Sequence, residues 1–321
     1  MTNSITILYI LCPSQSGSTL LSLLLGNQPQ LVCAGELNIF AQSPERRQRL
    51  RALRCSCDQL PWQVCEFWSA IDHYLQQHHQ LSLAELDVEA KEATIFHQHN
   101  KWLYEAIKAV SGKSIIVDSS KMIIRFTRLR AAGFRVVPIR LQRKPLAVVY
   151  SWIKRGAQWH PEDRGHQWWN VAEHYTTFYK TLNKVSSHDP PYRISYDQLA
   201  QQPAMTLRQL LDQLGLDSTD LQLDWSQQKY HHLSGNPMRY QRNPTIEADD
   251  RWRNGLRPAQ QKAILFITLP TLLDVRWLYL LWKYPIRAFL RMRALFFGLK
   301  DEEQRPSANR SATGLRNNDR L

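Results

Sequence analysis

The sequence predicts an α/β protein with a mostly parallel central sheet flanked by helices, and three observations carry that prediction. Short runs rich in β-branched and apolar residues, Ile5–Leu11, Leu31–Ala34, Ser114–Val117, Phe134–Leu141 and Tyr192–Ile194, alternate with stretches of helical periodicity. The first run leads directly into Cys12-Pro13-Ser14-Gln15-Ser16-Gly17-Ser18-Thr19-Leu20-Leu21, which has the outline of a phosphate-binding loop opening a helix. The fourth run ends at Arg143-Lys144-Pro145, after which Leu146, Val149, Trp152 and Ile153 recur at helical spacing, a second strand, turn and helix.

Taken in order, the first loop is a phosphate cradle without its lysine. A nucleoside triphosphatase loop needs glycine at 12 and lysine at 18, where this chain has Cys12 and Ser18. ATP or GTP hydrolysis is therefore disfavoured, because that lysine reaches the β and γ phosphates. One phosphate can still be held by backbone N–H groups at the helix start, helped by the hydroxyls of Ser18 and Thr19. Taken alone, the segment reads equally as a Ser/Gly turn before a helix. After Leu31–Ala34, a long His- and Gln-rich helical region spans 62–111, the natural place for an acceptor-binding insertion. In the fourth unit Pro145 suits the first helical position, so Arg143 sits at the carboxyl end of its strand, where open α/β sheets place ligands. Ser151 and Arg155 are four apart and share a helical face, so Arg143, Ser151 and Arg155 converge on a second anion unless the arginines are solvated surface charges. Two such sites fit a ligand with two separated phosphates, not a triphosphate chain.

At these residues the chain resembles the 3′-phosphoadenosine 5′-phosphosulfate-dependent sulfotransferases, closest to their bacterial and tyrosylprotein branch. Ser16-Gly17-Ser18-Thr19 is similar to the family's 5′-phosphosulfate loop, and Arg143, Ser151 and Arg155 reproduce the spacing of its 3′-phosphate motif. Tyr196-Asp197-Gln198-Leu199 resembles a Tyr-Glu-x-Leu segment, and Gly235-Asn236-Pro237-Met238-Arg239 a later stretch that covers the cofactor. The resemblance implies a P-loop-type three-layer fold and 3′-phosphoadenosine 5′-phosphosulfate as co-substrate. Its contacts would be Gln15, Ser16, Gly17, Ser18, Thr19, Arg143, Ser151, Arg155, Tyr196, Asn236 and Arg239. It also implies a general base at Glu36, nineteen residues after Gly17, which reads otherwise as a helix-start glutamate favoured by the dipole; Lys121, just after the third apolar run, is placed either to reach the sulfuryl group or as a surface lysine. The chain departs from the family at Gln15, where many members carry Arg or Lys, which leaves the leaving-group stabiliser unassigned. No metal is expected for the transfer.

The bulk of the chain adds bounds. With 321 residues and 43% hydrophobic composition it can bury one large core, so a single catalytic domain over 1–300 is expected, with a disordered polar tail over 301–321. Cys12, Cys33, Cys55, Cys57 and Cys65 all lie in the first fifth of the chain. Their odd number and the absence of a secretory segment argue against a disulfide scaffold; Cys55-x-Cys57-x7-Cys65 reads as reduced structural thiols first, with a redox disulfide or a zinc site as alternatives, the zinc lacking an obvious fourth ligand at a standard spacing. The net charge of +13 suits an anionic cofactor. Six of the basic residues, Arg276, Lys283, Arg287, Arg291, Arg293 and Lys300, fall within 276–300 among aromatics and without an acid. That segment reads either as a terminal helical pair packed on the domain or as a basic interfacial helix meeting anionic membrane. No apolar run is long enough to span a bilayer, and a cytoplasmic protein is expected. The function expected is sulfuryl transfer to a hydroxyl of a small molecule, glycan or lipid, with no nucleic-acid partner. The alternatives are a phosphotransferase with a degenerate loop and a non-catalytic nucleotide-binding protein on the same fold.

Overall fold

The computed structural model describes residues 4–154 and 167–272, apart from 45–47, 49, 51 and 242–245. Arg155, the basic aromatic segment 276–300 and the tail 301–321 lie outside the described residues. The elements that build the site are β1 (Thr6–Leu11), α1 (Ser18–Gly26), β2 (Leu31–Cys33), α2 (Glu66–His79), α3 (Ala93–Ser111), β3 (Ile115–Asp118), α4 (Ile123–Ala131) and β4 (Arg135–Gln142). They continue with α5 (Pro145–Lys154), α6 (Gln167–Val185), β5 (Tyr192–Ser195), α7 (Tyr196–Gln201), α8 (Pro203–Gln213) and, beyond residue 250, α9 (Trp252–Gly255) and α10 (Pro258–Leu272).

The five strands form one wholly parallel sheet in the order β2-β3-β1-β4-β5. Alternation along β1 explains the layering: Ile7, Tyr9 and Leu11 enter a core with α2, α3, α4, α5 and α6, whereas Leu8, Ile10 and Cys12 enter a second core with α1 and α8. Side chains of successive strand residues point to opposite faces, so a strand buried on both faces has to be apolar throughout. β1 meets that demand, and burial pushes the Cys12 thiol up to about 12. The result is the three-layer α/β fold expected from the sequence, with strand limits within a residue or two of the apolar runs.

Topology then sets where a ligand goes. The chain leaves central β1 for β2 at one edge and later enters β4 on β1's other side, so the loops after β1 and β4 part at the carboxyl ends of the strands. The helical region 62–111 holds two helices, α2 and α3, packed on each other and separated by a capped turn at Ser82–Glu85. Among the described residues no helix is long and apolar enough to cross a membrane.

Candidate active site

At that parting of the loops lies a cavity of about 1330 Å³. Its wall includes Gln15, Gly17, Ser18 and Thr19 from the first loop, Glu36 after β2, Lys121 after β3, Arg143 and Ser151 from the β4–α5 unit, and Tyr196 and Asn236. Ten of the thirteen residues predicted for the site therefore meet in one place. Of the other three, Ser16 is wholly buried and does not line the cavity. Arg239 stands behind the wall, donating to the Gly235 carbonyl (2.6 Å) and the Tyr240 hydroxyl (2.6 Å), and Arg155 falls outside the described residues.

The loop is shaped by its glycine. Gly17 has φ 96°, a left-handed conformation that L side chains rarely adopt, and it ends the loop at the N-terminus of α1. A Cβ there would also stand 2.2 Å from the Tyr196 ring, so only glycine lets Tyr196 lie against the loop. The Arg143 guanidinium also lies over that ring, 4.5 Å from its centroid. Burial pushes the Tyr196 hydroxyl above its ordinary range, with Arg143 opposing the rise. The first N–H groups of α1 have no carbonyl of their own helix to bind, which gives the cavity floor the donors and the partial positive charge that suit an anion.

Arg143 itself is 7% exposed. It donates to the Gln15 carbonyl (2.7 Å) and to Asp249 (2.9 Å), while its own carbonyl accepts from Tyr175 (2.8 Å). The loop is tied a second time where the Trp152 indole donates to the Ser14 carbonyl (2.6 Å). Gln15 takes φ 67°, uncommon for a non-glycine residue, with its carbonyl committed to Arg143. The two anion sites inferred separately from sequence are thus one hydrogen-bonded unit.

Across the cavity Glu36 and Lys121 form an ion pair, both half-buried. Each follows a constrained turn: Gly35 has φ 80° and Lys121 φ 69°. Asp118 fixes the second turn by accepting from Ser120 N (2.9 Å) and Ser120 Oγ (2.5 Å), and Ser120 Oγ accepts from Asn38 N (3.1 Å), joining the two turns. Glu36 also accepts from Ser234 Oγ (3.3 Å). One residue further on, Gly235 packs on Thr19, and Asn236 N donates to Thr19 Oγ1 (3.1 Å), closing the rim. A carboxylate held beside an ammonium, facing a nest of N–H donors, can take a proton from a nucleophile while charge on the opposite side is neutralised.

The sequence reading missed Asp249, Arg251 and His174, all on the cavity wall. Asp249 lies well below the usual carboxylate range because Arg251 and then Arg143 hydrogen-bond its charged form. Burial lowers the His174 imidazole below its usual value. No residue of 62–111 lines the cavity.

The comparisons with known proteins agree with this geometry. No curated protein sequence matches the chain. Among solved structures, the sulfotransferase domain from the Synechococcus PCC 7002 olefin synthase shares 17% identity and a TM-score of 0.51, covering 84% of this chain and 95% of that one. The sulfotransferase domain from the curacin biosynthetic pathway shares 17% identity and a TM-score of 0.52, covering 82% and 96%. At that identity the likeness shows the fold. The sequence model described as the sulfotransferase family matches residues 8–220, more than half of the chain, from within β1 to beyond β5. The chain belongs to the sulfotransferase family.

Proposed function

We propose that this protein transfers a sulfuryl group from 3′-phosphoadenosine 5′-phosphosulfate to a hydroxyl of an acceptor, with Glu36 as general base. The observation that carries the reading is the convergence of the Gln15–Thr19 loop and Arg143/Ser151 on one cavity that also holds the Glu36–Lys121 pair. The donor would supply an activated sulfuryl group and a bisphosphate leaving group. The residues available to bind it fit two separated anions. The α1 N-terminus with Ser18 and Thr19 serves one, Arg143 and Ser151 the other, and Tyr196 stands between them against Gly17.

In this reading Glu36 accepts the acceptor's hydroxyl proton, and Lys121 brings the positive charge that Gln15 lacks. Arg143 and Ser151 hold the donor in ground and transition states alike, so they govern affinity more than turnover. Arg239 is assigned to bracing the Gly235 carbonyl rather than to touching the donor.

Isothermal titration with 3′-phosphoadenosine 5′-phosphate, and separately with ATP, tests the donor class. Micromolar binding of the bisphosphate is expected. Micromolar binding of ATP with no binding of the bisphosphate would overturn the reading and favour a phosphotransferase.

A further inference from the structure

Four side chains that the proposed reaction does not use meet at one point. Cys55, Cys57, Cys65 and His231 bring three Sγ atoms and one Nδ1 within 4.8 Å of one another. The separations follow a pattern. Cys65 Sγ lies 3.5 Å from Cys55 Sγ and 3.7 Å from Cys57 Sγ, while His231 Nδ1 lies 3.2 Å from Cys65 Sγ and 3.7 Å from Cys55 Sγ. A tetrahedral zinc with Zn–S of about 2.3 Å and Zn–N of about 2.0–2.1 Å has S···S edges near 3.8 Å and S···N edges near 3.6 Å. The cluster already has the size of that polyhedron.

The backbone around it is arranged to hold the four groups. Cys55 and Cys57 ride on a tight turn closed by Cys55 N donating to the Leu60 carbonyl (2.8 Å) and by an antiparallel bridge between Arg54 and Pro61. Cys65 stands at the N-cap of α2. His231 comes from a segment stitched to the turn by Ser56 N on the His232 carbonyl (3.1 Å) and Ser56 Oγ on the Tyr230 carbonyl (2.7 Å). Trp68 Nε1 fixes the His231 carbonyl (2.8 Å), and the Phe67 ring stacks on the imidazole at 4.7 Å. Outer contacts of this kind orient a metal-bound histidine. The fourth ligand that the cysteine spacing lacks thus arrives from 166 residues downstream of Cys65.

We propose that Cys55, Cys57, Cys65 and His231 form a structural zinc site. Three thiolates and an imidazole select zinc over hard cations, and four protein ligands leave no position for substrate. Its role is a clamp. It fastens the turn at 55–65 to the segment beginning at 230, and that segment runs on through His232, packed on Gly35, to Ser234 and Asn236 at the rim of the cavity.

The test is metal content of the full chain, purified with reductant and without chelator from zinc-supplemented cells. About one zinc per chain is expected, falling below about a tenth in Cys65→Ser and His231→Ala, while His231→Cys, which restores a fourth soft ligand, retains it and Cys33→Ser is unaffected. Cobalt substitution should give thiolate-to-metal charge transfer and tetrahedral ligand-field bands. Removing the metal should lower the thermal midpoint by roughly 10 °C or more and speed amide exchange across 230–236. Either of two results overturns the proposal: a reduced, folded wild-type chain that takes up no zinc when it is added, or full zinc retention in both His231→Ala and Cys65→Ser.

Discussion

Two buried arginines of this protein, Arg125 on α4 and Arg143 at the end of β4, look alike by exposure, at 0% and 7%, and differ in what surrounds them. Arg125 is enclosed. Its Nη1 meets the Val88 carbonyl (2.9 Å) and Glu89 (2.8 Å), its Nη2 meets Asn100 (2.7 Å) and Tyr104 (3.3 Å), and both Nε and Nη2 face Asp118 at 3.5 Å. Burial works against its charge, yet the Tyr104, Asp118 and Glu89 oxygens hold its pKa above the ordinary value. Arg143 binds a loop carbonyl and Asp249, both part of the cavity wall, and stacks on a tyrosine that also lines it. A charge satisfied wholly from within holds elements together, whereas one whose partners stand at a cavity wall is placed to meet a ligand.

Four substitutions break or sharpen that contrast. The largest effect is expected at the open end. Glu36→Gln should lower turnover about 10²–10⁴-fold while leaving bisphosphate affinity unchanged, and turnover within about threefold of wild type with any acceptor would remove Glu36 from the chemistry. Arg125→Ala, which leaves Asp118 and Glu89 without their cation, should cost about 3–5 kcal/mol of stability. Urea unfolding reads this, and a loss below about 1 kcal/mol would mean that the enclosed network is replaceable. Arg143→Ala should do the reverse, raising the bisphosphate dissociation constant about ten- to a hundred-fold, the equivalent of a charge-assisted contact of about 1.5–3 kcal/mol, with little change in melting. Unchanged affinity in folded Arg143→Ala protein would end the comparison.

The smallest effect expected is at Asp249. Its carboxylate occupies the Arg143 guanidinium, so Asp249→Asn should tighten bisphosphate binding by a few-fold at low salt and less as salt rises. Titration at two ionic strengths decides it, and weaker binding would make Asp249 a positioning group rather than a competitor.

How much of this was legible beforehand follows chain distance. β1, its loop, β4 and the Arg143/Ser151 pair are each contiguous or within a helical turn or two, so periodicity and spacing were enough to find them. Asp249 lies 106 residues from Arg143 and His231 lies 166 from Cys65, and no local pattern joins such pairs. The region 62–111 was read as helical without internal limits, and the turn that divides it is marked by the Ser82–Glu85 capping box. Ser16 shows the opposite limit. It was counted among the cavity contacts by its motif position, but it is wholly buried off the cavity wall, which spacing alone does not reveal.

The central place of β1 has a consequence in time. Thr6 pairs with Ile115 on one side and Arg135 on the other, so the first strand made has no neighbour in the sheet until more than a hundred further residues exist. At about 5–20 residues per second, the interval from Leu11 to Asp118, which completes its first partner strand, is roughly 5–21 s. For that interval a six-residue apolar strand and the apolar helix behind it stand without the sheet that buries them. Synthesis of this chain therefore depends on whatever shields a nascent hydrophobic segment, and a codon-slowed or temperature-stressed ribosome would lengthen the hazard at its N-terminus before it touched any other part.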